Sequence, residues 1–197
     1  MAVRLEGAVE LKKALRKFEP DLSKSLNKEM RAAAKPVITK ARGYVPATNS
    51  VLSNWQTGNV NPDSKWANRA FDASIVKRGI KFSVANSKTN RRGFKSLASI
   101  LNTSAAGAIF ETAGRKNPWG QPWNPTSGSN RYSRSANKYA GRDFIQAANE
   151  LSPMTGKGND KGRLIYRAYE EDQGKLQDAV IRAIEKAARL LNQRTAA

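Results

Sequence analysis

The chain contains neither cysteine nor histidine. Without cysteine there is no disulfide framework, no thiolate zinc site and no cysteine nucleophile. Without histidine the usual general base and the commonest metal ligand are also missing. Most familiar enzyme designs are thereby excluded, and what remains is carboxylate or lysine chemistry, which needs paired acids or a desolvated lysine in a cleft. The sequence gives little sign of either, so a non-enzyme with no cofactor, no metal and no small-molecule substrate is expected. Long apolar runs are lacking too. No stretch approaches the ~20 residues of a membrane span, and the start MAVRLEGAVELKK has no apolar segment of a secretory signal. The expectation is a chain that stays in the cytoplasm where it is made and has no membrane partner.

Acid is the next shortage. Sixteen Asp and Glu face 35 Lys and Arg, for a net charge of +19. The excess is uneven: residues 61–145 hold 15 basic and 4 acidic side chains, whereas 146–197 hold 9 and 7. Such an imbalance raises a potential of several kT over parts of the surface and attracts anionic partners.

With 197 residues, of which 39% are hydrophobic, and a mean hydropathy of -0.64, the chain suits a single domain, 1–197, with a real core and long polar stretches. Val3 to Leu5 reads as a short strand. Apolar residues then fall at Ala8, Leu11, Leu15, Phe18, Leu22, Leu26, Met30, Ala33, Val37 and Ala41, in the three- and four-residue steps of one helical face. Pro20 disfavours helix at Glu19 and divides the run. Pro36, inside the second piece, predicts a kink, and Pro46 ends the helical region. Residues 47–70 are polar and turn-rich, with Trp55 and Trp66 as isolated anchors.

Ala73 and Ile75 lead through Lys77-Arg78-Gly79 into Ile80, Phe82 and Val84, which reads as a β-hairpin pairing Ile75 with Phe82 and Ala73 with Val84. One face of it needs a helix as cover, for which the N-terminal helix is the candidate. Leu97–Leu101 and Ala105–Phe110 read as short helices. Residues 86–95 and 114–142 read as flexible loops, the second rich in Gly, Pro, Asn and Ser. Leu164, Ala168, Asp172, Leu176, Val180, Ala183, Ala187 and Leu191 trace a final helical stripe, expected to bend near Gly174. The predicted fold is therefore α+β: a long kinked N-terminal helix and a long C-terminal helix packed on a small antiparallel sheet, with long basic loops.

Four blocks carry a family resemblance: VRLEGAVELKKA from Val3 to Ala14; AKPVITKARGYVPATNSVLSNW from Ala34 to Trp55, with its Ala41-Arg42 pair, Val45-Pro46 corner and Leu52-Ser53-Asn54-Trp55 turn; AIFETAG from Ala108 to Gly114; and the C-terminal helix. In this order they resemble the tail-completion or head-tail joining proteins of long-tailed bacteriophages. The resemblance implies a structural virion protein that forms a homo-oligomeric ring at the neck, joins tail to head and performs no catalysis. Its partners would be copies of itself, the head-tail connector and tail proteins, with genome DNA passing through the channel. Its place would be the virion, reached from the host cytoplasm. Two alternatives stay open: a tail terminator or minor tail protein, and a nucleic-acid-binding protein.

The candidate contact residues lie in the middle of the chain. From Thr112 to Arg142 there is no acid, but six basic residues (Arg115, Lys116, Arg131, Arg134, Lys138, Arg142) and four aromatics (Trp119, Trp123, Tyr132, Tyr139). Interleaved charge and rings suit single-stranded nucleic acid; Trp, Tyr and Arg also mark subunit interfaces. Arg91, Arg92 and Lys95, with Lys88, form a second basic cluster, read as a phosphate contact or a solvated loop tip. The acidic run Glu170-Glu171-Asp172 lacks further converging oxygens for a metal and reads as a solvated helical face or an intersubunit ion-pair strip. Met154-Thr155-Gly156-Lys157-Gly158 lacks the spacing of a phosphate-binding loop.

Overall fold

Pro20 divides the N-terminal stripe as expected. Helix α1 spans Ala8–Phe18 and α2 spans Pro20–Gly43, with Glu19 between them at φ -136, ψ 70. Proline at the first helical position forfeits only an N–H that has no intrahelical partner. Helix α2 continues through Pro36 and buries Leu22, Leu26, Met30, Ala34, Val37 and Ala41. Phe18 leaves the stripe: it sits at the break, 67% exposed, with the Lys17 ammonium 5.0 Å from its ring centroid. The computed structural model describes residues 7–47, 71–84, 96–129 and 131–195. The expected strand at Val3–Leu5, Trp55, Trp66 and the cluster Lys88, Arg91, Arg92 and Lys95 lie outside the described residues.

The fold is α+β, and α2 is its spine. The first half of α2 packs with α1 and the last helix around Leu15, Leu26, Met30, Ile184 and Ala187. Its second half closes another cluster with Val76, Ile80, Phe110, Ala148, Leu164 and Ala168. Burying each large side chain of this kind is worth about 1.5–3 kcal/mol.

The hairpin expectation is corrected. Ala73–Gly79 forms helix α3, because the Asp72 carboxylate caps it, accepting from the Ser74 N–H at 2.7 Å and the Ile75 N–H at 3.0 Å. The buried positions are Val76 and Ile80, at helical spacing, while Ile75 is exposed. Strand β1, Ile80–Ser83, pairs antiparallel with β2, Ser99–Asn102, setting Ile80 opposite Asn102 and Phe82 opposite Ile100. Leu97–Leu101 is therefore no helix; most of it is this partner strand. Helix α4, Ala105–Thr112, forms as read, capped by the Ser104 hydroxyl, which accepts from the Gly107 N–H at 3.0 Å.

Asn102 joins these pieces. Its Oδ1 accepts from the Ser104 N–H at 2.9 Å and from the Ser104 hydroxyl at 2.8 Å. Its amide is flanked by Gly79 and Gly107, where added Cβ atoms would stand 2.4 and 2.2 Å from it. The Lys12 ammonium, donating to the Val84 carbonyl at 2.6 Å and the Leu97 carbonyl at 2.9 Å, ties α1 to the open end of the strand pair.

A further helix, α5, Ala140–Leu151, follows the long irregular stretch. The expected single C-terminal helix is two: α6, Ile165–Glu170, and α7, Lys175–Thr195. Between them Gln173 and Gly174 take left-handed backbone, φ 54 and 85, which no continuous helix accommodates. The Asp172 carboxylate accepts from the Leu176 N–H at 2.6 Å and so caps the restart.

Candidate functional site: a basic, aromatic arm

Between α4 and α5 the chain forms an arm, Ala113–Tyr139, whose described residues hold no helix and no paired strand longer than the single Trp123–Ser133 bridge. Its Ser- and Asn-rich composition provides local order through side chains that accept from backbone two residues on, a habit of these residue types. Asn124 Oδ1 accepts from the Thr126 N–H, Ser129 Oγ from the Arg131 N–H and Asn137 Oδ1 from the Tyr139 N–H, the last at 2.9 Å. The Ser133 N–H donates to the Pro122 carbonyl at 2.8 Å, and the Trp123 indole N–H to the Ser135 carbonyl at 2.8 Å.

The root of the arm is clamped. Arg163, fully buried, donates through Nη1 to the Phe110 carbonyl at 2.9 Å and the Ala113 carbonyl at 2.7 Å, and through Nη2 to Asn149 Oδ1 at 2.8 Å. One guanidinium thus holds both the residue where the arm leaves and the helix to which it returns. Burial pushes its pKa down to about 10, against the pull of the nearby Glu111 carboxylate. Glu111, also buried, accepts from the Leu164, Ile165 and Tyr166 N–H groups at 2.7, 3.1 and 2.9 Å, so it caps the start of α6. Burial raises its pKa; the three N–H bonds and Arg115 act in the opposite direction. Two glycine contacts complete the root. Gly114, at φ 83, lies so close to Ile145 that a Cβ would meet Cγ2 at 2.8 Å, and Gly120, at φ 82, approaches the backbone of Gly141 and Arg142 equally closely.

The predicted contact residues divide accordingly. Arg115 stays at the root, half-buried, its guanidinium 4.6 Å from the Tyr166 ring centroid. Lys116, Trp119, Trp123, Arg131, Tyr132, Arg134, Lys138, Tyr139 and Arg142 are exposed, Trp119 to 80%. Lys138 and Arg142 both lie against the Tyr139 ring, at 4.7 and 4.6 Å, and Arg142 also pairs with Asp143 at 3.1 Å. A cleft of about 490 Å³ opens at the root, between the strip Thr112–Asn117 and Phe144 of α5. Its lining includes Arg115 and Lys116 but no carboxylate, so it suits an anionic or neutral group and offers no acid-base pair.

The acidic run reads differently once folded. Glu171, exposed like its neighbour Glu170, already has partners within the fold: it bonds Lys40 at 2.6 Å, the Tyr44 hydroxyl, and Arg167 at 3.0 Å. These partners hold its pKa down at about 2. The Met154–Gly158 segment is a turn closed by the Thr155–Gly162 bridge, which delivers Arg163 and Leu164 to the core. Among the described residues no group of three or more acidic side chains is arranged to hold a metal ion, and no helix is long and apolar enough to cross a membrane. Sequence reasoning missed Arg163 because a lone arginine ahead of an apolar stripe carries no burial signal. Glu111 was visible only as a letter of the AIFETAG block. Comparisons with protein-family models, curated proteins and solved structures give no match, so the arm and its root are the grounds on which function is argued.

Proposed function

We propose that the chain is a structural subunit of a tailed-bacteriophage particle, a ring-forming neck or tail-completion component that joins tail to head. The observation that carries this reading is the arm. Its root is fixed by Arg163 and by close backbone contacts, while Trp119, Trp123, Tyr132 and Tyr139 stand exposed. Four exposed rings on one short segment, each with an apolar face, are what a contact surface presents. Trp, Tyr and Arg are the residue types that dominate such contacts. The sequence blocks that resemble the joining proteins supply the kind of assembly, and two of them coincide with fixed points of the fold: the end of α2 and the Glu111 cap. The partners are further copies of the chain, the connector and tail proteins, and genome DNA in the channel.

The test is genetic and visual. Particles assembled without this protein should accumulate as filled heads and finished tails that fail to join, and supplying the protein should restore joining. Complete particles in its absence would reject the reading. Purified protein should also self-associate in sedimentation, alone or on addition of connector.

A further inference from the structure

We infer that the outer part of the arm is a nucleic-acid contact, in which Arg131 and Arg134 meet backbone phosphates and Trp119 offers a stacking face. The inference rests on the reading of the arm as a contact surface and names which partner it meets. Three observations carry it.

The first is charge of one sign. No acid occurs between Thr112 and Arg142. Arg131 and Arg134 are exposed, and none of the ion pairs among the described residues engages their guanidinium groups.

The second is where the acids have gone. Glu19 and Glu29 bind Arg194 and Lys186 of α7, Asp72 and Asp172 cap helices, Glu111 is buried, and Glu171 is held by three partners. Folding engages these six acids with partners in the chain's own fold. A second copy of the chain does expose acids, Glu10, Glu150, Glu170 and Glu185 among them, but it carries more than twice as many basic groups as acidic ones. An interface with another protein normally pairs charges of both signs, whereas a polyphosphate needs only cations.

The third is the placing of the rings. Trp119 is 80% exposed and lies on the same arm as Arg131 and Arg134. Trp123 is pinned by its indole N–H, and Tyr139 is already flanked by two cations. Trp119 is therefore the ring best placed to accept a base. The described residues of the arm are irregular and present neither a helix nor a two-stranded ribbon to a major groove. Sequence-independent contact to the backbone is what this geometry can make.

The experiment is a fluorescence-anisotropy titration of the full chain with a labelled single strand of about 30 nucleotides and with the matching duplex, from about 50 to about 200 mM salt. The variant carrying Arg131→Ala and Arg134→Ala should reduce the slope of log K against log salt by about 1.4 on the single strand. Trp119→Ala should weaken single-strand binding about 5- to 150-fold with little change of slope, and should leave duplex binding nearly unchanged. All three side chains are exposed, so thermal unfolding of the variants should match that of the parent. A slope unmoved by the arginine changes would mean that charge acts diffusely, and would overturn the proposal. So would Trp119→Ala binding the single strand as tightly as the parent. Self-association abolished by the same variants would assign the surface to a neighbouring copy instead. The assembly reading fails separately: it falls if heads and tails join without the protein, whatever the titration gives.

Discussion

Replacing Glu111 by alanine and by glutamine separates the two things its carboxylate does. Alanine removes the acceptor for the Leu164, Ile165 and Tyr166 N–H groups together. The Leu164 donor is fully buried and the other two are partly buried. A buried donor left without a partner costs about 1–3 kcal/mol, and a partly buried one less, because water reaches it. The sum for Glu111→Ala is about 3–5 kcal/mol, a large share of the roughly 5–15 kcal/mol that holds a domain of this size. Glutamine keeps one oxygen, which can serve the two donors that now share Oε2, and turns an amide toward the third. It also removes a charge that burial opposes, the same opposition that raises the Glu111 pKa. Its cost is therefore about 1–2 kcal/mol. The raised pKa fixes the sign of the pH effect as well. The parent's advantage over glutamine is fully present below the carboxyl's ordinary value of 4.5 and shrinks as pH rises through the folded value. Urea unfolding followed by circular dichroism, at several pH values, measures both quantities. Equal destabilisation by alanine and glutamine, or an advantage that grows with pH, would refute the account of Glu111 as a desolvated helix cap.

Three further outcomes follow from neighbouring contacts. Gly162→Ala places a Cβ 2.2 Å from Glu111 Oε1 and 2.9 Å from Tyr166 Cβ; it should cost about 2–3 kcal/mol by overpacking. In a double-mutant cycle it should cost much less once Glu111 is already alanine. Gly107→Ala drives a Cβ to 2.2 Å from the Asn102 amide and 2.5 Å from the Ser104 hydroxyl, so a loss of about 1–3 kcal/mol and weaker protection of the β2 amides in hydrogen exchange are expected. Glu171, held at about 2 by Lys40, Tyr44 and Arg167, stabilises the fold above its ordinary value of 4.5 and loses that contribution as pH falls toward 2. Its side chain is 34% exposed, so after solvent screening Glu171→Gln should cost about 1 kcal/mol at neutral pH, and nothing below pH about 2. A constant deficit across that range in thermal melts would contradict this.

The helical parts of the fold were legible because their apolar spacing is regular and their breaks are chemical. Pro20 divides the first stripe where its missing N–H and its effect on Glu19 require, and the break near Gly174 was visible, though as a bend. The strands were not legible. Ile80 and Phe82 alternate as strand residues do, but nothing local says that their partner lies beyond the next loop, at Ile100. The error at Ala73–Gly79 had a correctable source: Asp72 precedes a segment whose buried residues, Val76 and Ile80, sit four apart, and that is a capped helix start. At the candidate site, the exposed positions of the arm could be read from composition, because a stretch without acid or aliphatic core residues has nothing to bury. Its root could not. Arg163 reaches the Phe110 carbonyl and Glu111 caps Leu164, each across 53 positions of sequence, and only tertiary structure turns two ordinary charged letters into a clamp and a cap.

That clamp bears on how the arm can work. A segment with no core of its own would ordinarily lose much conformational freedom on meeting a partner, at about 1–2 kcal/mol of backbone entropy for each residue fixed. Here part of that loss is met during folding. The Asn and Ser turns restrict the backbone locally, and Arg163, Gly114 and Gly120 fix both ends against α4 and α5. The exposed cations and rings are thus held near one geometry before contact, which leaves more of their interaction energy to appear as affinity. Loosening the root should consequently weaken nucleic-acid binding without touching a binding side chain. Gly120→Ala, whose Cβ would meet the backbone of Gly141 at 2.8 Å, is the direct test. It should weaken single-strand binding severalfold with the salt slope preserved, because Arg131, Arg134 and Trp119 are all still present. Parent-like affinity from a Gly120→Ala protein whose arm amides exchange faster would show that binding does not draw on the arm's preorganisation.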